Sequence, residues 1–414
     1  MEKKRVIVVG GGASGLMAAI IAAREGAAVT VLEHNDRPGR KICATGNGRC
    51  NLTNTEMPAD AFRGTDPGFV RGILEQFPVT KTIRFFTELG IYTINKNGYL
   101  YPRSAQASCV TEVLCMEARS RKVKIKTNEH VTGITCENSL WKVHTDGWAY
   151  EGDAVILANG SCASNLLGAD GSGYEMARTL GHTVIRPLPA LTGLKCNYRP
   201  VSEYSTRKVP DFKKGKKSRN PFTIWAGVRT EGELTLVIEN EPPRIQRGEL
   251  QLTDYGISGI PVFQLSRYAV RALEEGKKAR MTVNFLPEFS KERLHVFLET
   301  RQKNCPYKDT REMLLGLFPD KLIQVLCQAP DLEEAILAFP LTITGGMDFK
   351  QAQVCSGGVD TAGINPETME SKLHPGLYFA GELVDIDGTC GGYNLQWAWS
   401  SGAVAGYHAA KENL

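Results

Sequence analysis

Two kinds of apolar pattern alternate along the chain. Val6–Val9 and Val29–Leu32 are continuous apolar runs, and Ala154–Ala158 and Leu377–Ala380 repeat that character far downstream. Short runs without alternation predict strands buried on both faces of a parallel sheet. Between the first two, Ala13–Arg24 is rich in Ala, Leu, Met and Ile, and Gly26 supplies a stop, so a helix is predicted there. A second helix is predicted over Thr80–Leu89, with Thr80 as its cap and Ile83, Phe86 and Leu89 inward, and a third over Gln106–Arg119. Asn97-Gly98 marks a tight turn between Ile91–Ile94 and Tyr99–Tyr101. Val123–Lys126, Val131–Thr135, Leu140–His144 and Trp148–Tyr150 read as short strands.

The pattern changes near Pro187 and Pro189. β-like sequence follows over Phe222–Val228 and Leu234–Ile238, then a helical stretch over Ser258–Glu275 and a strand at Met281–Phe285. Helical pieces are predicted at Lys291–Lys303, Thr310–Leu317, Lys321–Cys327 and Leu332–Phe339. The final helix covers about Gly392 to Lys411. No apolar run approaches the length of a membrane span, and Met1–Val9 is too short for a signal peptide.

The first strand–helix–strand unit carries chemistry. Its turn reads Gly10-x-Gly12-x-x-Gly15, and Glu33 ends the second strand, 18 residues beyond Gly15. Glycines there permit a tight turn, approach of backbone to a pyrophosphate, and close helix–strand packing; the acid suits a ribose hydroxyl. The helix start offers free N–H groups and its positive dipole end to phosphate. A glycine turn kept only for packing would not need Glu33. Composition fits this reading. Glycine is 42 of 414 residues, against a usual share of about 7%, and the surplus gathers in such turns near both ends of the chain.

The single fingerprint is followed by a basic glycine turn, Arg37-Pro-Gly-Arg-Lys41, then by the short strands, Val155–Gly160 and the late Leu377–Glu382. That series resembles the FAD-binding fold of the glutathione-reductase-like flavoproteins. Three longer runs narrow the resemblance: Gly39–Asn54 (GRKICATGNGRCNLTN), Gly248–Gly259 (GELQLTDYGISG), and the C-terminal set Thr368–Lys372, Gly376–Glu382, Asp387-Gly388 and Gly391–Gln396. They resemble a bacterial flavoprotein family labelled aminoacetone-oxidase-like, some of whose members are linked to bile-acid reduction. Asn47, Asn159, Tyr255 and Cys43 depart from that family's pattern.

The resemblance implies an α/β fold: a split Rossmann-like FAD-binding domain with an inserted β-barrel-like domain and a nested helical domain. The expected segments are 1–190 with 341–414 for FAD, 191–255 with part of 335–355 for the β-rich insertion, and 256–334 as mainly helical. Gly10, Gly12, Ala13, Ser14 and Gly15 are expected at the pyrophosphate, and Glu33 and His34 at the adenosine ribose. Arg40, Lys41, Arg49, Cys50 and Asn51 would add contacts, with Val131 meeting adenine through its backbone. Ala158, Asn159, Gly160, Gly381, Glu382, Asp387, Gly391, Gly392, Tyr393, Asn394 and Leu395 are expected around the rest of the cofactor. A helix starting near Gly392 would favour negative charge on a reduced flavin.

The expected chemistry is an FAD-dependent oxidoreductase reducing an activated C=C bond of a 3-oxo steroid or bile-acid-like small molecule. NADH or NADPH would dock transiently as electron donor. A flavin amine oxidase acting on an aminoacetone-like substrate is the same-fold alternative, and an RNA-modifying flavoprotein a further one. The latter rests on Lys213, Lys214, Lys216, Lys217 and Arg219; without these five, the net charge of +4 becomes −1. A solvated basic loop is the simpler account, so nucleic acid is not the expected partner. Cys43 and Cys50, with six residues between them, suggest a redox pair, although an incidental spacing fits better. The eleven cysteines point to a reducing cytoplasm. No metal site is expected, since Cys-x-x-Cys is absent and the seven histidines are scattered.

Overall fold

The computed structural model describes residues 3–198 and 221–411. The basic run at 213–219 lies outside them. By their contacts the residues divide into two compact units, 1–188 with 353–414, and 189–352.

The first unit is built on a five-stranded parallel sheet. Its spatial order is Leu377–Phe379, Ala154–Leu157, Arg5–Val9, Ala28–Glu33 and Lys124–Thr127. Every residue of Ala154–Leu157 and Leu377–Phe379 is buried, as expected for strands covered on both faces. Ala13–Arg24 packs on this sheet beside the long C-terminal helix Tyr393–Ala410. A Cβ on Gly402 would stand 2.4 Å from the Ser14 carbonyl oxygen, and one on Gly406 would stand 2.3 Å from that of Ala18. These two glycines, one turn apart, let the two helix backbones touch. A three-stranded meander, Val131–Glu137, Leu140–Thr145 and Ala149–Gly152, completes the pattern of short strands.

The helix predicted from Thr80 starts one residue earlier, at Val79, and its cap is Pro78. Its buried side chains are Thr82, Phe85 and Phe86, so Phe85 takes the inward place expected of Ile83. The Asn97-Gly98 turn forms as predicted, with both residues at positive φ (53° and 91°) joining Thr93–Lys96 to Tyr99–Pro102.

The second unit centres on a closed six-stranded barrel. Around it run Leu194–Asn197, Gly256–Ser258, Arg244–Leu252, Arg229–Ile238, Ala279–Asn284 and Phe339–Gly346. Antiparallel pairing of Phe339–Gly346 with Leu194–Asn197 closes the ring. Inward residues alternate along Arg229–Ile238, where Leu234, Leu236 and Ile238 are buried. Trp225, Leu250, Val283 and Phe339 fill the interior with them.

The structure refines three sequence expectations here. Phe222–Val228 is not a strand: Pro221–Trp225 is a short helix that buries Phe222 and Trp225, a task the amphipathic spacing serves better than alternation. Segment 256–334 is mainly helical, with the expected strand near Met281 found at Ala279–Asn284, but Gly256–Ser258, where a helix was expected from Ser258, is a barrel strand. The barrel also takes Phe339–Gly346, within the 335–355 stretch shared with the β-rich insertion, and the first unit resumes at 353. Apolar strands inside a closed ring and short helices packed on it share one core, and their sequence patterns do not separate them. Among the described residues no helix is long and apolar enough to cross a membrane.

Candidate cofactor site

The carboxyl ends of four parallel strands converge. Val9 leads to Gly10, Leu157 to Ala158, Phe379 to Gly381, and the second strand ends at Glu33. The first strand lies between its sequence neighbour and Ala154–Leu157, so chain order reverses at this point, where open parallel sheets bind ligands.

The glycines of the first turn do different work. Gly10 has φ 102°, and a Cβ there would stand 2.5 Å from the Ala158 carbonyl oxygen. A Cβ on Gly15 would lie 1.9 Å from the Gly10 carbonyl oxygen, so Gly15 serves turn–helix packing. Gly12 is the helix N-cap in extended conformation, and a Cβ on it would meet nothing within 4 Å. Open space therefore faces the backbone there. Ala13 and Ser14 follow in the first helical turn, which has no side-chain cap and no acidic residue. Uncapped N–H groups beside open volume fit a pyrophosphate.

Glu33 is buried. Its Oε2 accepts from the Gly11 N–H at 2.8 Å, and its Oε1 accepts from the Asn35 N–H at 2.8 Å and Nδ2 at 2.7 Å. A carboxylate offers about four lone-pair sites, so one further donor, such as a ribose hydroxyl, can be accommodated. His34 lies alongside, its Nδ1 3.9 Å from Glu33 Oε1. The Glu129 N–H donates to the Glu33 carbonyl at 3.0 Å, which places the start of the Val131 strand beside this strand end. Val131 itself is buried.

Two basic residues of the following turn, Arg40 and Lys41, have protein partners. Arg40 Nη1 donates to Asn35 Oδ1 at 2.6 Å, and Lys41 Nζ donates to Glu382 Oε2 at 2.6 Å. Glu382 Oε1 accepts from Ser161 Oγ at 2.6 Å and from the Cys355 N–H at 3.0 Å. Thus Glu382 joins the basic turn to two more segments. Gly381 has φ 71°, and a Cβ there would stand 2.4 Å from Ser14 Oγ. Its N–H donates to Ser401 Oγ at 2.9 Å, while Trp397 Nε1 donates to its carbonyl at 2.9 Å. Ala158 is buried; Gly160 has φ 79° and open space before it. Asn159 Nδ2 donates to Ser172 Oγ at 3.4 Å, and its buried Oδ1 has no protein partner.

Around the C-terminal helix start, geometry again favours glycine. Gly391 and Gly392 have φ 132° and 94°, and a Cβ on Gly392 would meet the Thr53 backbone at 2.6 Å. Asn51, with its amide oriented by its neighbours, accepts from the Gly392 N–H at 3.2 Å. Asn394 Oδ1 accepts from the Gly388 N–H at 2.8 Å, and its Nδ2 donates back to the Gly388 carbonyl at 2.9 Å. Asp387 is buried in Ile386–Gly388, paired in register with Arg63. Tyr393 packs edge-on against Phe62, and Leu395 is half-buried.

Arg40–Gly48 is an irregular helix broken at Thr45, Gly46 and Asn47. Asn47 occupies the left-handed region (φ 54°, ψ 47°), a conformation asparagine tolerates better than most residues, so it can stand in for glycine. Arg49 closes this stretch with its N–H on the Gly46 carbonyl. Cys50 is buried, and burial pushes its thiol up to about 12. Cys43 instead lies 3.5 Å from Thr111 Oγ1, and both cysteines are free thiols.

Sequence reading missed Ser161, Cys355, Trp397 and Ser401, all of which fix Gly381 or Glu382. It also missed the fully buried Gln396, which accepts from Thr53 Oγ1 at 2.6 Å and donates to Thr82 Oγ1 at 2.9 Å. Its place at the end of the family-like run Gly391–Gln396 was the available signal. Tyr255 lies in the other unit, where a Cβ on Gly193 would stand 2.6 Å from its hydroxyl. Among the described residues no three His, Cys, Asp or Glu side chains form a metal-ligand group.

Known proteins resemble this chain along its length. It is 43% identical to a 3-dehydro-bile acid delta(4,6)-reductase of Clostridium scindens, over 98% of this chain and 99% of the relative. It is 29% identical to a ribosomal RNA dihydrouridine synthase of Escherichia coli, over 97% and 96%. Among solved structures, the open conformation of a flavocytochrome c3 fumarate reductase matches with a TM-score of 0.51 and 16% identity. That match covers 99% of this chain and 78% of the other, and it speaks for the fold alone. The profile described as HI0933-like protein Rossmann domain matches residues 4–408, and the chain belongs to that family.

Proposed function

We propose that this protein is an FAD-dependent oxidoreductase that reduces a C=C bond conjugated to the 3-oxo group of a steroid or bile-acid-like substrate. The carrying observation is the 43% identity, across essentially both full lengths, to a reductase acting on 3-dehydro bile acids. The relatives named as dihydrouridine synthases share the reaction class. Dihydrouridine is uridine with its C5=C6 bond saturated, and that bond is also conjugated to a carbonyl. Hydride addition to the β-carbon of an unsaturated carbonyl is therefore the chemistry common to both names.

FAD, when bound, supplies the hydride chemistry. The open backbone at Gly12 and the N–H groups of Ala13 and Ser14 would hold its pyrophosphate. Glu33 would take the adenosine ribose with its remaining acceptor capacity. The segments at Gly160, Gly381–Glu382 and Gly391–Leu395 would line the remainder. Lys41 and Ser161 position the Glu382 carboxylate, and Trp397 and Ser401 fix the backbone of Gly381. NADH or NADPH is the proposed electron donor. Eleven cysteines with no disulfide among them support a reducing, cytoplasmic setting.

Anaerobic reduction of the purified holoprotein by NADH or NADPH, followed by reoxidation with a panel, tests this reading. The panel holds a 3-oxo-4-ene steroid, a uridine-containing RNA and oxygen, and aminoacetone is tested separately as a reductant of the oxidised flavin. The enone should restore the oxidised flavin spectrum fastest. Faster reoxidation by RNA or oxygen would overturn the substrate class, and a colourless purified protein would overturn the cofactor.

A further inference from the structure

Glu33 ends the strand Ala28–Glu33 and is buried, so its carboxylate depends on donors close at hand. Asn35, two residues further on, supplies two of them. Its N–H reaches Glu33 Oε1 at 2.8 Å, and its Nδ2 reaches the same oxygen at 2.7 Å. The Gly11 N–H supplies a third, to Oε2 at 2.8 Å. A carboxylate oxygen offers about two lone-pair sites. Asn35 by itself therefore fills Oε1, and the remaining acceptor site belongs to Oε2, the oxygen beside the Gly10–Gly15 turn. His34 Nδ1 stands 3.9 Å from Oε1, beyond hydrogen-bond reach.

The Asn35 amide is itself held in one orientation. Arg40 Nη1 donates to Asn35 Oδ1 at 2.6 Å. A guanidinium has donors only, so the amide oxygen must face Arg40 and the nitrogen must face Glu33. Two more segments fix the residue from outside its own strand. The Asn128 N–H donates to the Asn35 carbonyl at 2.9 Å. Gly168 has φ 101°, and a Cβ there would stand 2.4 Å from Asn35 Nδ2, so bare backbone packs against the amide. Arg40, expected among the cofactor contacts, thus acts on Glu33 through Asn35.

We propose that Asn35 is a positioning residue for cofactor recognition, which saturates Glu33 Oε1 and so reserves Glu33 Oε2 for one hydroxyl of the adenosine ribose. The proposal rests on the reading of Glu33 as the ribose acceptor. It goes beyond that reading by naming the oxygen that binds and the residue that keeps it available. Removing the Asn35 amide leaves Oε1 with one backbone donor, and the carboxylate then no longer presents a single oxygen to the sugar.

The test strips flavin from the full-length protein and titrates it back, following flavin fluorescence. The ligands are FAD and two FAD analogues that lack the 2′- or the 3′-hydroxyl of the adenosine ribose. The parent should bind at least one analogue about tenfold more weakly than FAD, as expected for one hydrogen bond to a charged group. Asn35→Asp keeps the shape of the side chain and replaces the Nδ2 donor by an acceptor. It should weaken FAD by about tenfold or more and shrink the preference over that analogue to less than about threefold. Asn35→Ala should lose the preference too, and it serves if the aspartate variant does not fold. Glu33→Gln should behave likewise. A purely structural role for Asn35 would weaken FAD and its analogues equally and leave the preference intact. That result, with the preference lost only in Glu33→Gln, would overturn the proposal and leave the reading of Glu33 standing. A parent protein that binds FAD and both analogues equally would overturn that reading, and the proposal with it.

Discussion

The parallel sheet of the first unit and the barrel of the second are both filled with Val, Leu and Ile, but they depend on their residues differently. In the barrel, side chains do the work. Alternate residues of Arg229–Ile238 point inward and meet Trp225 and Phe339, so the unit is sensitive to the volume of what fills it. In the sheet unit, the critical contacts beyond the core are backbone on backbone. Gly10 meets Ala158, Gly15 meets Gly10, Gly392 meets Thr53, and Gly402 meets Ser14, each at a distance that excludes a side chain. The unit proposed to present bare backbone to a cofactor is the one that gathers glycine. A unit that closes on itself has less need of it.

Substitutions can break or sharpen this contrast. The largest loss is expected from Trp225→Ala, which removes a fully buried indole and its hydrogen bond to the Thr253 carbonyl. It should cost about 3–5 kcal/mol in a denaturant titration. The folded fraction should keep its flavin colour, and loss of flavin under native conditions would blur the division of labour.

Gly15→Ala comes next. Its Cβ would stand 1.9 Å from the Gly10 carbonyl, so the turn must shift, at a cost of about 3 kcal/mol by the same measurement. A variant as stable as the parent would mean that this backbone contact is not tight.

Gly12→Val separates binding from folding. Nothing stands within 4 Å of its Cβ, so stability of the flavin-free protein should change by less than about 1 kcal/mol. Flavin absorbance after gel filtration should nevertheless vanish, because the branched side chain would occupy the open space assigned to pyrophosphate. Full flavin retention would refute that assignment.

The smallest effect concerns pH and lies in the second unit. His295 Nδ1 lies 2.7 Å from Glu333 Oε1, and this carboxylate raises the imidazole pKa above its ordinary value. The stabilisation is complete below about pH 6.5, the unfolded value. It is lost as pH rises through the higher folded value. Melting temperature should therefore fall slightly across that window, and His295→Gln should flatten the slope. An unchanged slope in the variant would remove His295 as its source.

Local order explains what could be read directly. The Gly10–Gly15 turn, its helix and Glu33 lie within one strand–helix–strand unit, so spacing alone predicts them, as Asn97-Gly98 predicts its turn. The barrel was less legible. Gly256–Ser258 is three residues long and Pro221–Trp225 is one helical turn, too short for a period to register. The redox spacing of Cys43 and Cys50 likewise suggests a pair, but the chain turns the first towards Thr111 and buries the second.

The sequence by itself determined the strand–turn–helix–strand unit at Gly10–Glu33 and the family to which the motifs point. These follow from backbone requirements that only nearby residues must meet: a positive φ, a missing Cβ, a continuous apolar run. The tertiary structure alone decided that Lys41 pairs with Glu382, 341 positions away, and that Gln396 joins Thr53 to Thr82. Such partners meet because four parallel strands end at one edge, and no local pattern records which side chains will arrive there together.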